Sequence, residues 1–303
     1  MISSRQLEYF QAVARELHFT RAAEALRIAQ PALSQQIRKL ERQLGLDLFE
    51  RNNHKVSLTP AGAALLRHTE RILSDLVAVE QEMLGWAGGV RGRIRLGLAR
   101  GLTARLARVF AAFSSTYPAV EVELQEQNTT EMLAGLRAGR LDVVTLAAPP
   151  PTGDRSLLSH PLGAEPLVLV TGVNTELARQ SRLPLAELDG VDLIKYPPGS
   201  AVGEIIARAL AEAGAEPRVR FETRDYSTAR TLVNVGLAAA IMPRSVARAA
   251  GPAVHVVELD PEPVWTPALA WSANRRPTPA LATLIDFMVG HPDLAVDGDI
   301  SEV

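Results

Sequence analysis

The sequence predicts an α/β protein in two parts: an all-α-type head, and a two-lobed α/β body reached through one long helix. Three observations carry that expectation. The first sixty residues read as short amphipathic helices closing on a hairpin; a single apolar stripe then runs over residues 60–86; and from residue 91 strands and helices alternate.

Bulk properties fit two folded domains. The chain has 303 residues, 47 % hydrophobic and 22 % charged. No apolar run approaches the roughly 18 residues of a membrane-spanning helix, and the start, MISSRQLEYF, lacks the basic stretch and apolar core of a secretory signal. Cysteine is absent, which removes disulfides, thiolate nucleophiles and Cys-based metal sites. The expectation is a cytoplasmic protein with no membrane partner. Residues 1–60 hold nine Lys or Arg against six acids, a surplus of three; the whole chain's −2 therefore leaves −5 on the rest. A basic head on an acidic body suits nucleic-acid binding by one end.

Along the head, Leu7, Phe10, Ala14 and Leu17 recur at helical spacing. Thr20 is expected to cap a second short helix, Arg21 to Arg27, whose small Ala22 and Ala23 permit close approach. Pro31 suits the first turn of a third helix, Leu33, Ile37, Leu40 and Leu44 form its buried stripe, and Gly45 suits a left-handed stop. Its outer face carries Ser34, Gln35, Arg38 and Arg42, so the pair reads as a helix-turn-helix. Residues 46–59 then read as a β-hairpin with the polar, basic tip Asn52-Asn53-His54-Lys55, a wing.

The stretches FTRAAEALRIAQPALSQQIRKLERQLGLDLFER and SLTPAG, within a match running from about Leu7 to Gly62, closely resemble the LysR family of transcriptional regulators. That resemblance implies that Gln30, Pro31, Ala32, Ser34 and Gln35 face the major groove, where Gln can pair bidentately with adenine and Ser with several bases. It implies that Thr20, Arg38, Arg51 and Lys55 hold phosphates, which positions the protein without specifying sequence.

The long helix carries Leu65, Thr69, Ile72, Leu76, Val79, Met83 and Trp86 in steps of four and three, a heptad seam. About 27 residues at 1.5 Å each span roughly 40 Å, more than the head can cover, so self-association is expected. The resemblance implies a linker that pairs two chains, giving a homodimer or homotetramer. Gly85, Gly88, Gly89 and Gly92 are expected to form a hinge.

In the body, strands are expected at Ile94–Ala99, Val120–Gln125, Leu141–Leu146, Leu157–Leu162, Leu167–Val170, Leu193–Tyr196, Val219–Thr223, Ala238–Met242 and Ala268–Trp271. Helices are expected at Thr103–Tyr117, Thr129–Ala138 (capped by Thr129 or Thr130), near Ser200 and Ser227, and at Pro279–Val289. Pro149-Pro150-Pro151 and Gly153 interrupt the pattern. Two lobes joined by two crossings bind small ligands between them, at strand C-terminal ends and helix N-termini. GRLDVVTL, the YPPGS loop and LVNVGLAAAIMP resemble the family's effector domain, which implies a fold similar to periplasmic binding proteins. By family position Arg100, Thr103, Thr129, Ser200, Tyr226 and Ser227 line the cleft, and Arg100 is the side chain suited to pairing with a carboxylate.

The expected division is residues 1–59 for the winged head, 60–88 for the linker helix and 91–303 for the effector domain. Within the last, lobe I covers about 91–161 and 268–303, and lobe II about 162–267. The six histidines show no metal-ligand spacing, and G-x-S-x-G, Walker and G-x-G-x-x-G motifs are missing. No catalytic residue, metal or cofactor is therefore expected, and no enzyme. The expected partners are double-stranded promoter DNA, a small-molecule effector with carboxylates foremost, a second copy of the chain, and RNA polymerase as a further candidate. The alternative is a small-molecule-binding module without DNA regulation.

Overall fold

The computed structural model describes residues 2–52, 55–86, 90–150 and 154–294. Its contacts form two units, residues 1–89 with 134–141 and residues 90–133 with 142–303.

The first unit opens with α1 (Ser4–Glu16), whose N-terminus is closed by a reciprocal box between Ser3 and Gln6. There follow α2 (Phe19–Ala25), α3 (Gln30–Leu44), the antiparallel pair β1 (Phe49–Asn52) and β2 (Lys55–Leu58), and the long α4 (Pro60–Trp86). Phe10, Val13, Ala22, Ala23, Leu33, Ile37 and Leu40 form the core. The Phe10 ring lies 5.4 Å from that of Phe49, which fastens the hairpin to α1. The SLTPAG motif has a local cause. The Thr59 hydroxyl donates to Asp47 O at 2.7 Å and accepts from the Gly62 N–H at 2.9 Å, capping α4. A Cβ on Gly62 would stand 2.1 Å from Leu48 O, so only glycine fits.

Three expectations in this unit are corrected. Helix α2 begins at Phe19, because His18 Nδ1 accepts from the Arg21 N–H at 3.4 Å; Thr20 therefore lies inside the first turn and is not the cap. The turn after α2 closes earlier, with Arg27 in the left-handed region at φ 54°. The glycine hinge does not begin at Gly85, since α4 runs through it to Trp86, and Gly92 already belongs to a strand. Gly88 and Gly89, like the wing tip Asn53-His54, lie outside the described residues. Along α4, Leu65 packs on the head's core, whereas Ile72, Leu76, Val79 and Met83 of the heptad seam are exposed.

The second unit contains β3 (Gly92–Leu98), α5 (Thr103–Thr116), β4 (Val120–Glu126), α6 (Thr129–Ala138, its first turn in this unit), β5 (Val143–Leu146), β6 (Leu157–Pro161) and β7 (Glu165–Thr171). It continues through β8 (Arg182–Pro184), β9 (Asp192–Lys195), α7 (Ala201–Glu212), β10 (Arg218–Glu222), α8 (Tyr226–Asn234) and β11 (Ala239–Pro243). It closes with α9 (Arg244–Arg248), β12 (His255–Asp260), β13 (Val264–Trp265), β14 (Ala268–Ser272) and α10 (Pro279–Val289).

Two sheets result. One has the order β4-β3-β5-β14-β6, with β3, β4 and β5 parallel; the other has the order β10-β9-β11-β7-β12-β8, with β13 on β7. The chain passes from the first sheet to the second between β6 and β7, and returns between β13 and β14. Strands β8, β12 and β13 are additional to those expected from sequence. The strand β5 is buried at every position, as a central parallel strand requires. Pro151 and Gly153 lie outside the described residues.

The GRLDVVTL motif fixes this arrangement. Asp142 accepts from the Arg95 backbone N–H and pairs with its guanidinium at 2.7 Å, locking β3 beside β5. Buried Thr145 accepts from the Ala99 N–H at 2.9 Å and so holds the turn that carries Arg100.

Candidate functional site

Two surfaces are equipped for binding. On α3, one face is fully buried through Leu33, Ile37 and Leu40. The other presents Gln30, Pro31, Ala32, Gln35 and Arg38 exposed, with Ser34 half-buried. The side chains of Gln30, Ser34, Gln35 and Arg38 make no hydrogen bond to other described residues. Thr20 is exposed on α2. The side chains of Arg51 and Lys55 lie outside the described residues.

In the second unit a cavity of about 480 Å³ opens between the β3–α5 turn and the start of α6 on one side, and the Pro197–Ser200 loop with the starts of α7 and α8 on the other. Four of the six expected contacts, Arg100, Thr129, Ser200 and Tyr226, line it. Thr103 and Ser227 are exposed in the first turns of α5 and α8 and do not. Tyr196 and Arg224, not singled out from sequence, do. Tyr196 ends an expected strand within the YPPGS loop, which was the available signal. Nothing in the sequence set Arg224 apart from the many exposed arginines.

Hydrogen bonding decides which groups are available to a ligand. Helix α6 is capped by Asn128, which accepts from the Glu131 N–H at 2.9 Å while Glu131 accepts from the Asn128 N–H at 3.2 Å. Neither Thr129 nor Thr130 is therefore the cap, because the Asn128 carboxamide reaches the Glu131 amide first; both hydroxyls stay uncommitted. Ser200 does cap, accepting from the Gly203 N–H at 3.2 Å, with its own O–H still free to donate. Arg100 is not free: its Nε donates to Glu126 at 2.8 Å.

Burial shapes the titration of the lining. The Tyr226 hydroxyl is raised, chiefly by burial, with the Glu165 charge adding and Arg100 opposing. Tyr196 is raised well above the ordinary phenol by burial, with Tyr226 adding. The Thr228 hydroxyl and the N–H groups of Thr228 and Ser227 hold Asp225 below the usual carboxylate range against the opposing effect of desolvation, and Arg100 assists. Outside the cavity lining, the Ser245 N–H donates to Glu165 Oε1 at 2.6 Å, and Arg105 Nη1 stands 3.8 Å from the other carboxylate oxygen while donating to Gly163 O. Desolvation lowers Arg105, and the Glu165 and Asp293 charges oppose it.

Residues 4–63 match the bacterial regulatory helix-turn-helix of the lysR family, and residues 87–293 match the LysR substrate binding domain. The chain belongs to the LysR family. Like its relatives it is a DNA-binding transcriptional regulator with an effector-binding domain. The DNA-binding transcriptional dual regulator OxyR of Escherichia coli is 30 % identical over 304 residues, covering 99 % of this chain and 97 % of OxyR. The structure of a full-length OxyR variant from Pseudomonas aeruginosa superposes with a TM-score of 0.74 at 24 % identity, covering 97 % of each chain, and supports the fold. Full-length CbnR complexed with its target DNA gives 0.73 at 26 % identity, covering 95 % of this chain and 99 % of CbnR. The α2–α3 pair lies within the residues that match the helix-turn-helix, and the cavity lies within those that match the substrate binding domain. No helix of the described residues is long and apolar enough to cross a membrane.

Proposed function

We propose that this LysR regulator binds a pseudo-palindromic promoter site as a homodimer or homotetramer in the cytoplasm, and that a small ligand in the cleft changes that binding. The observation that carries the reading is α3: a helix buried on one side, with Gln30, Ser34, Gln35 and Arg38 uncommitted on the other. Base contact is assigned to Gln30, Pro31, Ala32, Ser34 and Gln35. Phosphate contact is assigned to Thr20, Arg38, Arg51 and Lys55. The exposed Ile72, Leu76, Val79 and Met83 supply the seam for pairing two chains, and two recognition helices then meet successive major grooves. RNA polymerase is the further partner such a regulator addresses.

The effector acts through reversible binding in this reading. Several relatives are named hydrogen peroxide-inducible genes activators, but this chain has no cysteine and so no thiol for a peroxide to oxidise. The effector shifts the balance of lobe arrangements only by its different affinity for each. No catalytic residue, metal or cofactor is assigned.

The test is a fluorescence-anisotropy titration of the full-length protein on the DNA upstream of its own gene, against scrambled DNA, at several salt concentrations. Selective binding with a steep salt dependence is the expected result. Equal binding to both DNAs would mean that the operator lies elsewhere or that a ligand is required; no binding even at low salt favours the module without DNA regulation.

A further inference from the structure

The cleft carries more information than its outline, on the reading that it is the effector site. Its charges can be followed one by one. Arg100 is paired with Glu126, Glu131 is engaged in the α6 cap, and Asp225 beside the lining caps α8 through the Ser227 and Thr228 N–H groups. Arg224 is the lining cation left over: its guanidinium makes no hydrogen bond or ion pair to any described residue. Its backbone is nevertheless held on both sides, since the Thr223 N–H donates to Lys195 O and the Asp225 N–H donates to the Thr223 hydroxyl.

A second observation points independently to a ligand. Tyr196 is only 5 % exposed, and its hydroxyl is buried with no hydrogen-bond partner. A buried polar group left unpaired is unfavourable and calls for a partner. The Tyr196 ring lies 5.1 Å from that of Tyr226 at an interplanar angle of 59°, and Pro197, Met132 and Val202 add apolar surface to the same lining. Flat aromatic walls, one unopposed guanidinium and one unpartnered phenol describe a complementary molecule: a planar body, a single negative charge, and an oxygen to meet the Tyr196 O–H.

We infer that the cleft takes an aromatic monocarboxylate, with Arg224 as the partner of its carboxylate and with Tyr196, whose buried hydroxyl a shift of its ring must first expose to the cavity, as a donor to a ligand oxygen. Arg100, whose Nε is already engaged by Glu126, then contributes less to affinity than Arg224. This differs from the sequence expectation, in which Arg100 held the carboxylate.

The test uses the full-length protein and calorimetric titration with benzoate, phenylacetate and 4-hydroxybenzoate. Benzamide, benzylamine, succinate and inorganic phosphate are the comparison probes. The expected result is saturable binding of at least one aryl carboxylate, with the neutral, cationic and non-aromatic probes at least about tenfold weaker. Arg224→Gln is expected to weaken the aryl acid by about tenfold or more, Tyr196→Phe by about fivefold, and Arg100→Gln by less than about threefold. Each variant is first checked for a cooperative thermal transition, and Arg224→Lys serves in place of Arg224→Gln where that transition is lost. A further variant, Thr130→Trp, fills the cleft from an exposed position. Binding lost in Thr130→Trp but unchanged in Arg224→Gln and Tyr196→Phe overturns the assignment of those two residues and leaves the cleft as the site. Binding that survives Thr130→Trp overturns the cleft itself. No binding by any aryl carboxylate, or stronger binding of a comparison probe, overturns the ligand class.

Discussion

The ring of Tyr226 lies against Gly101 so closely that a Cβ on that glycine would stand 2.9 Å from Cε2. Gly101 belongs to the turn after β3, and Tyr226 opens α8 on the other sheet's side of the cleft, so this contact spans the two lobes. The glycine also has φ of 86°, where a side chain is strained. Gly101→Ala is therefore expected to cost about 1 kcal/mol or more and to hold the lobes further apart. Because the chain has no cysteine, spin labels on Cys introduced at the exposed Glu121 and Glu222 report lobe separation cleanly. A longer mean distance is expected, and an unchanged distance distribution contradicts the role of this contact.

A second prediction concerns Arg230, a buried cation on α8 that has no acidic partner among the described residues. It donates instead to three backbone carbonyls, those of Val246, Ala249 and Pro252, at 2.6 to 2.9 Å. A lysine offers a point charge and cannot span the three acceptors. Arg230→Lys is expected to lower stability by about 3 kcal/mol, read by urea unfolding followed through tryptophan fluorescence. A loss below about 1 kcal/mol would show that water takes over the carbonyls.

The Asp225 cap predicts a pH dependence. Its folded carboxyl titrates below the ordinary value of 3.8. A depressed pKa supplies stability that is present above the unfolded value and lost as pH falls through the folded one. Melting temperature is thus expected to fall more steeply below about pH 4 in the parent than in Asp225→Asn, which keeps an accepting oxygen without a charge. Parallel acid profiles for the two proteins would remove Asp225 from the account.

On the head, Gln35→Ala is expected to reduce discrimination between operator and random DNA by about 1–3 kcal/mol, with the salt slope unchanged. Arg38→Ala is expected to weaken both DNAs alike and flatten the slope. Competition titrations with both DNAs separate the two outcomes, and an equal loss in each variant would dissolve the distinction between base and phosphate contacts.

The sequence was legible where a local pattern has one physical solution. The α3 stripe, the Gly45 stop at φ 67° and α10 from Pro279 to Val289 follow from helical spacing and end residues alone. The alternating strands of the first lobe emerged with edges shifted by a residue or two. It was illegible where distant groups compete for one partner. His18 outcompeted Thr20 as the α2 cap, and Asn128 with Glu131 displaced Thr129. Arg100 was drawn to Glu126, 26 positions away. No spacing rule ranks such rivals, and the strand β12 has its reason only in β7 and β8, on which it lies.

The double passage of the backbone between the sheets, once after β6 and once after β13, leaves the second lobe tethered at two neighbouring points. A body held at one point can tumble; held at two, its easiest motion is a swing about the line through both. Whatever occupies the space between the lobes then sets a single angle, and any message sent from there to the rest of the chain is one number.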